Sequence, residues 1–449
     1  MYRDLTQGGI GRTLVLFSLP MIAGNLLQQL YNIADTLIVG RFLGANALAA
    51  VGSAYTLMTF LTSILLGLSM GAGALFAIYQ GQGDREKLRG GMVQAFCLIA
   101  LLTAALTWAS YLGIDGIMAF LRVPQAIYPL MRDYLLIIFS GLAATALYNF
   151  FASLLRALGN SAAPLAFLAV SALLNIGLDL AFVVGLGWGV AGAAGATVLA
   201  QYVSGLGLAL YVGLTQRQLL PARRHWTWNR PVLADMGRLS LLTCAQQSVM
   251  NLGILMVQGL VNSFGPTVMA AFAAAVKIDS FAYMPVQDFG NAFSTFVSQN
   301  YGAGKFQRIR EGARRALILS ASFSLAISAL VILLARPLML LFVQPQETQI
   351  LAHGVTYLRI EGAFYWGIGC LFLLYGFFRA VKQPAVSVLL TCVSLGLRVA
   401  LAYLLAGPVG VTGIWASVPI GWVLADATGL LFYRRWKRQT CPPAPPSQP

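Results

Sequence analysis

Four oxygen-bearing side chains stand inside long apolar runs of this 449-residue chain, and they are the residues best placed to do chemistry. Asp35 lies in the run Tyr31-Asn-Ile-Ala-Asp-Thr36. Asn175 and Asp179 are four residues apart, so on a helix they share a face, and Thr197 follows in the next apolar run. A carboxylate in hydrocarbon costs roughly 3 kcal/mol or more and normally faces a cavity or a partner. Two carboxylates held close repel when both are ionised, so such a pair would keep one proton or share a cation. Carboxylate, amide and hydroxyl oxygens are hard donors, suited to a proton or an alkali cation and not to a soft metal. The expected chemistry is reversible binding of a coupling ion, H+ or Na+, and the oxygen set admits either. The alternative for any single acid is a helix-packing hydrogen bond.

The elements that must position these groups are membrane helices. The chain is 58% hydrophobic and 10% charged, whereas soluble domains carry about 25% charged residues. Its apolar runs reach the roughly 20 residues that a helix needs to cross a bilayer. They are expected near 14–39, 47–78, 93–113, 134–154, 164–184, 189–212, 237–263, 268–299, 314–334, 357–378, 385–406 and 410–433, which makes an all-α polytopic membrane protein of twelve spans. Counting from the outer turns, Asp35 and Asp179 fall roughly 7–9 Å deep, Thr197 about 12 Å and Asn175 about 15 Å. Groups at similar depth within one half can converge.

A net charge of +15 suggests nucleic acid until its distribution is examined. Alternate loops hold 21 lysines and arginines; the opposite loops hold only Arg41, Arg122, Arg132 and Arg336. That segregation is the positive-inside rule, which puts both termini in the cytoplasm of a cell-membrane (inner or plasma) protein and directs the basic face to anionic lipid. No nucleic-acid partner is expected.

The two halves are related. Gly44, Ala49, Ala50, Ala54, Gly81, Gly83, Gly91, Pro124 and Gly141 match Gly265, Ala270, Ala271, Ala275, Gly302, Gly304, Gly312, Pro345 and Gly362 at a constant offset of 221. Six spans per half make the repeats parallel, with a central cavity between two six-helix lobes. The expected organisation is an N-lobe over 1–213, a cytoplasmic linker over 214–236, a C-lobe over 237–434 and a disordered cytoplasmic tail over 435–449. Duplicated membrane bundles are most often transporters with a site between the halves.

Other chemistries find no support. Cys97, Cys244, Cys370, Cys392 and Cys441 lack metal-type spacing, and there is no Walker-type phosphate loop or catalytic triad. No enzyme activity, cofactor or metal centre is expected. The first span is too long for a cleavable signal core.

Further candidates surround the four oxygen donors. Pro20 removes a backbone hydrogen bond in the first span, so that helix could bend according to whether Asp35 is occupied; a static kink is the alternative. In the second half, Lys277, Asp279, Glu361 and Arg398 form a candidate charged network, with Glu361 and Arg398 a candidate ion pair. Asp288 is expected to face the cavity and attract cationic substrate. Gln28, Tyr31, Asn149, Met250, Asn251, Tyr283, Met284 and Gln287 supply the amides, aromatic faces and adaptable thioethers that a cavity for lipophilic cations needs.

The run Asp35-Thr-Leu-Ile-Val-Gly-Arg-Phe-Leu-Gly-Ala-Asn-Ala-Leu-Ala-Ala-Val-Gly52 resembles the signature of the MATE (multidrug and toxic compound extrusion) family. So do Gln80-Gly-Gln-Gly83, Arg156-Ala-Leu-Gly-Asn160, Val297-Ser-Gln-Asn-Tyr-Gly302 and Phe378-Arg-Ala-Val-Lys382. The resemblance covers the chain apart from its tail. It implies twelve helices in two lobes and export of lipophilic, often cationic drugs and toxic compounds by antiport against protons or sodium ions. It places Asp35 on the family's first-helix acid, Pro20 on its bend, and Asn175, Asp179 and Thr197 on the surrounding network of prokaryotic members. The seventh span lacks the acid that some members use for sodium, and Glu361 sits too early in the tenth to match theirs. A lipid-linked-intermediate or metabolite flippase of the same superfamily is the alternative. The loop Gly81–Gly90 fits the pattern of major-facilitator transporters poorly. A monomer is expected, because each chain would enclose its own cavity.

Overall fold

Glycines at repeat-related positions set the helix ends. Gly44 and Gly265, at φ 84° and 93°, each turn the chain into a long helix, and Gly83 and Gly304, at 70° and 68°, end those helices. A side chain disfavours these left-handed backbones, which is why glycine recurs in both halves. The computed structural model describes residues 3–121, 123–226 and 228–440.

The first half contains α1 (Ile10–Leu43), α2 (Ala45–Gln82), α3 (Arg85–Leu112), the short α4 (Ile114–Phe120), α5 (Tyr128–Ile138), α6 (Leu142–Ala157), α7 (Ala162–Asp179) and α8 (Gly189–Thr215). The second contains α9 (Arg230–Asn262), α10 (Pro266–Gly302), α11 (Phe306–Leu333), the short α12 (Ala335–Leu340), α13 (Thr348–Gly362), α14 (Tyr365–Ala380), α15 (Pro384–Ala406) and α16 (Val411–Thr440). Among the described residues there is no strand. Among the described residues, eleven spans are long and apolar enough to cross a membrane, counting α5 and α6 as one across the tight turn Phe139–Gly141. The pair α13 and α14, bent by 52°, makes a twelfth. The repeat thus interrupts the same span in both halves, ending at Gly141 in one and Gly362 in the other. The tenth span starts at Thr348 and not near 357, which moves Glu361 from the span's beginning to its middle.

The chain divides into two compact units, one of Leu19–Gln247 with the residues just before Leu5, the other of Leu5–Ser18 and Ser248 onward. Two of the three divisions fall inside helices. That in α1 lies between Ser18 and Leu19, next to Pro20, and that in α9 lies between Gln247 and Ser248. The helical start of α9, expected partly as linker, therefore belongs to the first unit. There its backbone packs where Gly67 and Gly71 of α2 leave no room for a β-carbon beside Cys244 and Ser240. Such close approach of small residues is how membrane helices gain contact without a hydrophobic driving force. The second unit's core stacks Phe272 on Trp415 at 5.3 Å, with Tyr357 edge-on to both. Helix α16 continues to Thr440, so 435–440 is helical and not disordered; Cys441–Pro449 and Arg122 lie outside the described residues.

Candidate functional site: buried carboxylates in each unit

Apolar packing carries Asp179 to the last position of α7, where its residue is 0% exposed. The next six residues, Leu180–Gly185, form a wide π-helical turn. Such turns are rare in proteins and frequently mark functional sites. One turn before, Asn175 is buried and donates from Nδ2 to Thr197 Oγ1 of α8 at 3.3 Å. From α1, the half-buried Asp35 brings its carboxyl group to the Asp179 carboxyl as its side-chain neighbour. Asp35, Asn175, Asp179 and Thr197 are thus gathered within the first unit.

Their oxygens are not satisfied. Asp35 Oδ1, both Asp179 carboxyl oxygens and Asn175 Oδ1 are buried and meet no donor. Two ionised carboxylates only accept, so the contact becomes a hydrogen bond when one of them holds a proton. No lysine, arginine or histidine pairs with either acid within 4.0 Å among the described residues. Tyr31 of α1 and Tyr134 of α5 also border the pair. Sequence reasoning assigned Tyr31 to the substrate and missed Tyr134, which carried no signal beyond being one aromatic residue in an apolar run.

Pro20 sits inside the unbroken α1, where it leaves the Leu16 carbonyl without its helical donor. Fifteen residues, about 22 Å of helix, separate it from Asp35.

The second unit contains another carboxylate pair. Asp279 of α10 and Glu361, in the last turn of α13 just before the break, are 6% and 1% exposed. Each borders the other and Arg398 of α15, while the hydroxyls of Tyr365 and Tyr357 neighbour Asp279 and Glu361 respectively. Asp279 Oδ1 and Glu361 Oε1 meet no hydrogen-bond donor. The expected Glu361–Arg398 ion pair is absent at 4.0 Å among the described residues, although Arg398 still acts on both acids through its charge. Lys277 is exposed and does not join this cluster, since two residues along a helix point to different faces. Asp288 of α10 is buried, at 4% exposed.

The remaining candidates are scattered. In the first unit Gln28 is exposed beside Tyr31, and the Asn149 amide donates to the Thr145 carbonyl of its own helix at 2.9 Å. In the second, Met250, Asn251, Met284 and Gln287 are half-buried, and the half-buried Tyr283 stacks on Phe372 at 6.3 Å.

A duplicated helical bundle with eleven or twelve candidate spans among its described residues, and with acids buried in its interior, is the architecture of a multi-pass membrane protein. The family model MatE matches residues 20–181 and 240–404, so the chain belongs to the MatE family. It is 30% identical over 439 residues to the "Probable multidrug resistance protein YpnP" of Bacillus subtilis (strain 168), covering 97% of both chains. It is 25% identical to the "FAD transporter" of Shewanella oneidensis, covering 93% of this chain and 92% of that one. A crystal structure of MATE in the bent conformation superposes with a TM-score of 0.91 at 24% identity, covering 97% of each chain.

Proposed function

We propose that this transporter exports lipophilic, often cationic drugs and toxic compounds from the cell, by alternating access coupled to an inward flow of protons or sodium ions. The observation that carries the coupling is the Asp35–Asp179 pair, whose buried carboxyl oxygens meet no donor and, among the described residues, no basic partner. A pair in that state takes up one small cation and releases it when its surroundings change. Asn175 and Thr197 supply further oxygens to a bare ion, and Tyr31 and Tyr134 shield the site from lipid. Asp35 shares α1 with Pro20, beside which the two compact units divide. Cation occupancy at Asp35 therefore biases the shape of the helix that both units share, and differential affinity for two helix shapes is what coupling requires. The protein acts as a monomer in the cell membrane with both termini cytoplasmic. It works as two repeated lobes, 1–213 and 237–434, joined by the linker 214–236. No cofactor is needed.

Transport in reconstituted vesicles, with proton and sodium gradients imposed separately, tests this reading. Accumulation of a fluorescent lipophilic cation under either gradient supports it; none under both overturns it. The similarity to an FAD transporter favours a second reading, export of an anionic metabolite. Gradient-dependent movement of a flavin nucleotide, with no response to cationic drugs, would select it.

A further inference from the structure

The linker between α8 and α9 is clamped to α3, and the clamp leaves two tryptophans and several arginines facing outward. Arg89 of α3 donates to the Gln218 carbonyl from both Nε, at 3.0 Å, and Nη2. Arg85 Nη1 reaches Gln218 Oε1 at 3.3 Å. Glu86 accepts from Arg224 at 3.1 Å and lies 2.8 Å from His225 Nε2. The backbone N–H of Ala222 donates to His225 Nδ1 at 2.9 Å, so Nε2 carries the proton that faces Glu86. Leu219 and His225, 4% and 6% exposed, are the buried anchors.

Held this way, Trp226 and Trp228 remain 60% and 67% exposed. They line a shallow groove with Val93, Gln94 and Cys97 of α3. That groove lies roughly 12–18 Å along α3 from Arg85, where the helix passes from its basic start into its apolar run. Indole rings concentrate at this level of a membrane, with the apolar body among acyl chains and the N–H at the headgroups. Trp226 is hydrogen-bonded through its backbone N–H to the Arg223 carbonyl, which ties one ring to an exposed arginine. Across 84–89 and 216–230 there are seven lysines and arginines against two acids. Both acids are already engaged, Asp84 with Lys87 and Glu86 with Arg89, Arg224 and His225. Arg217 and Arg223 are exposed and have no acidic partner within 4.0 Å among the described residues.

We propose that this clamped linker and the adjoining face of α3 bind one anionic phospholipid. Its phosphate lies against Arg217 and Arg223, and an acyl chain lies in the groove between Trp226, Trp228 and Cys97. The charge excess selects an anionic headgroup over a zwitterionic one, and the exposed rings select a lipid over a soluble phosphate. The site is independent of the coupling chemistry proposed above.

Quenching of tryptophan fluorescence by phospholipids brominated on the acyl chain tests this in reconstituted vesicles. The signal of Trp226 and Trp228 is isolated by subtracting that of the Trp226→Phe, Trp228→Phe variant. Brominated phosphatidylglycerol should quench this signal at a several-fold lower mole fraction than brominated phosphatidylcholine. Each arginine near an anionic surface contributes on the order of fivefold in partitioning, so Arg217→Gln with Arg223→Gln should abolish that several-fold preference. Both arginines are exposed and, among the described residues, unpaired with an acid, so that variant keeps the clamp, and quenching by phosphatidylcholine should not change. Equal quenching by the two lipids, or a preference that survives the double arginine variant, overturns the proposal. So does quenching by soluble bromide alone with none by either lipid.

Discussion

Replacing Asp35 with asparagine separates coupling from substrate handling. Two unit charges about 4 Å apart at an effective dielectric near 20 repel by about 4 kcal/mol, roughly a thousandfold in population. The doubly ionised Asp35–Asp179 pair is therefore scarce, and the empty state of the native protein takes up a cation. In Asp35→Asn the amide Nδ2 donates to the Asp179 carboxylate, the repulsion vanishes, and the drive to take up a cation goes with it. Accumulation of a lipophilic cation in proteoliposomes under an imposed gradient should fall by about a hundredfold or more, an allowance below the full thousandfold. Exchange of labelled for unlabelled substrate without a gradient should fall by less than about tenfold, because it requires no net cation movement. Asp179→Asn should behave alike. An asparagine variant that accumulates substrate at the parent level refutes the reasoning. Loss of exchange in equal measure refutes it too, since the acid would then be serving the fold.

Four further outcomes follow from local geometry. Pro20→Ala supplies the Leu16 carbonyl with a donor, so the thermal midpoint should hold or rise while gradient-driven transport falls; unchanged transport would make Pro20 a static kink. Gly159→Ala should lower the thermal midpoint, because φ there is 85° and the Arg3 carbonyl occupies the place of the new β-carbon; the backbone conformation alone costs about 1–2 kcal/mol. Arg398→Leu removes the positive charge that acts on Asp279 and Glu361 and should lower the thermal midpoint, with Glu361→Gln added to it restoring much of the loss in a thermal-shift assay. Hydrogen bonding from His225 holds the exposed Glu86 carboxyl below its usual value, so its contribution to the clamp is complete above the ordinary carboxylate range and is lost as pH falls through the lowered value. Hydrogen exchange over 216–226 should therefore show no Glu86-linked rise in opening while pH stays above the ordinary carboxylate range, and a rise only below that range.

The N-lobe candidates were legible because membrane helices make polar residues conspicuous. Asn175 and Asp179 announce a shared face by their spacing, and depth alone suggested that Asp35 and Thr197 could join them. Tyr134 was not legible, since an aromatic residue in a membrane helix is as often a lipid contact as a site wall. Glu361 was misjudged for a different reason. A hydropathy run began near 357, but the span starts at Thr348, because Glu347 and His353 depress the apolar signal where helical structure continues. Lys277 looked like a member of the Asp279 network, yet side-chain direction puts it on the exterior.

By itself the sequence determined that this chain spans a membrane many times, that its halves are copies, and that its acids sit where an acid is costly. Those properties follow from local chemistry, namely the hydrocarbon demand for apolar side chains and the demand of left-handed turns for glycine. Only the tertiary structure decided which acids are neighbours. It paired Asp35 with Asp179, put Glu361 opposite Asp279 at a broken span, and hung the linker from Glu86. Each of these contacts joins residues that no local rule relates, and its energy depends on a separation of a few ångströms that packing alone sets.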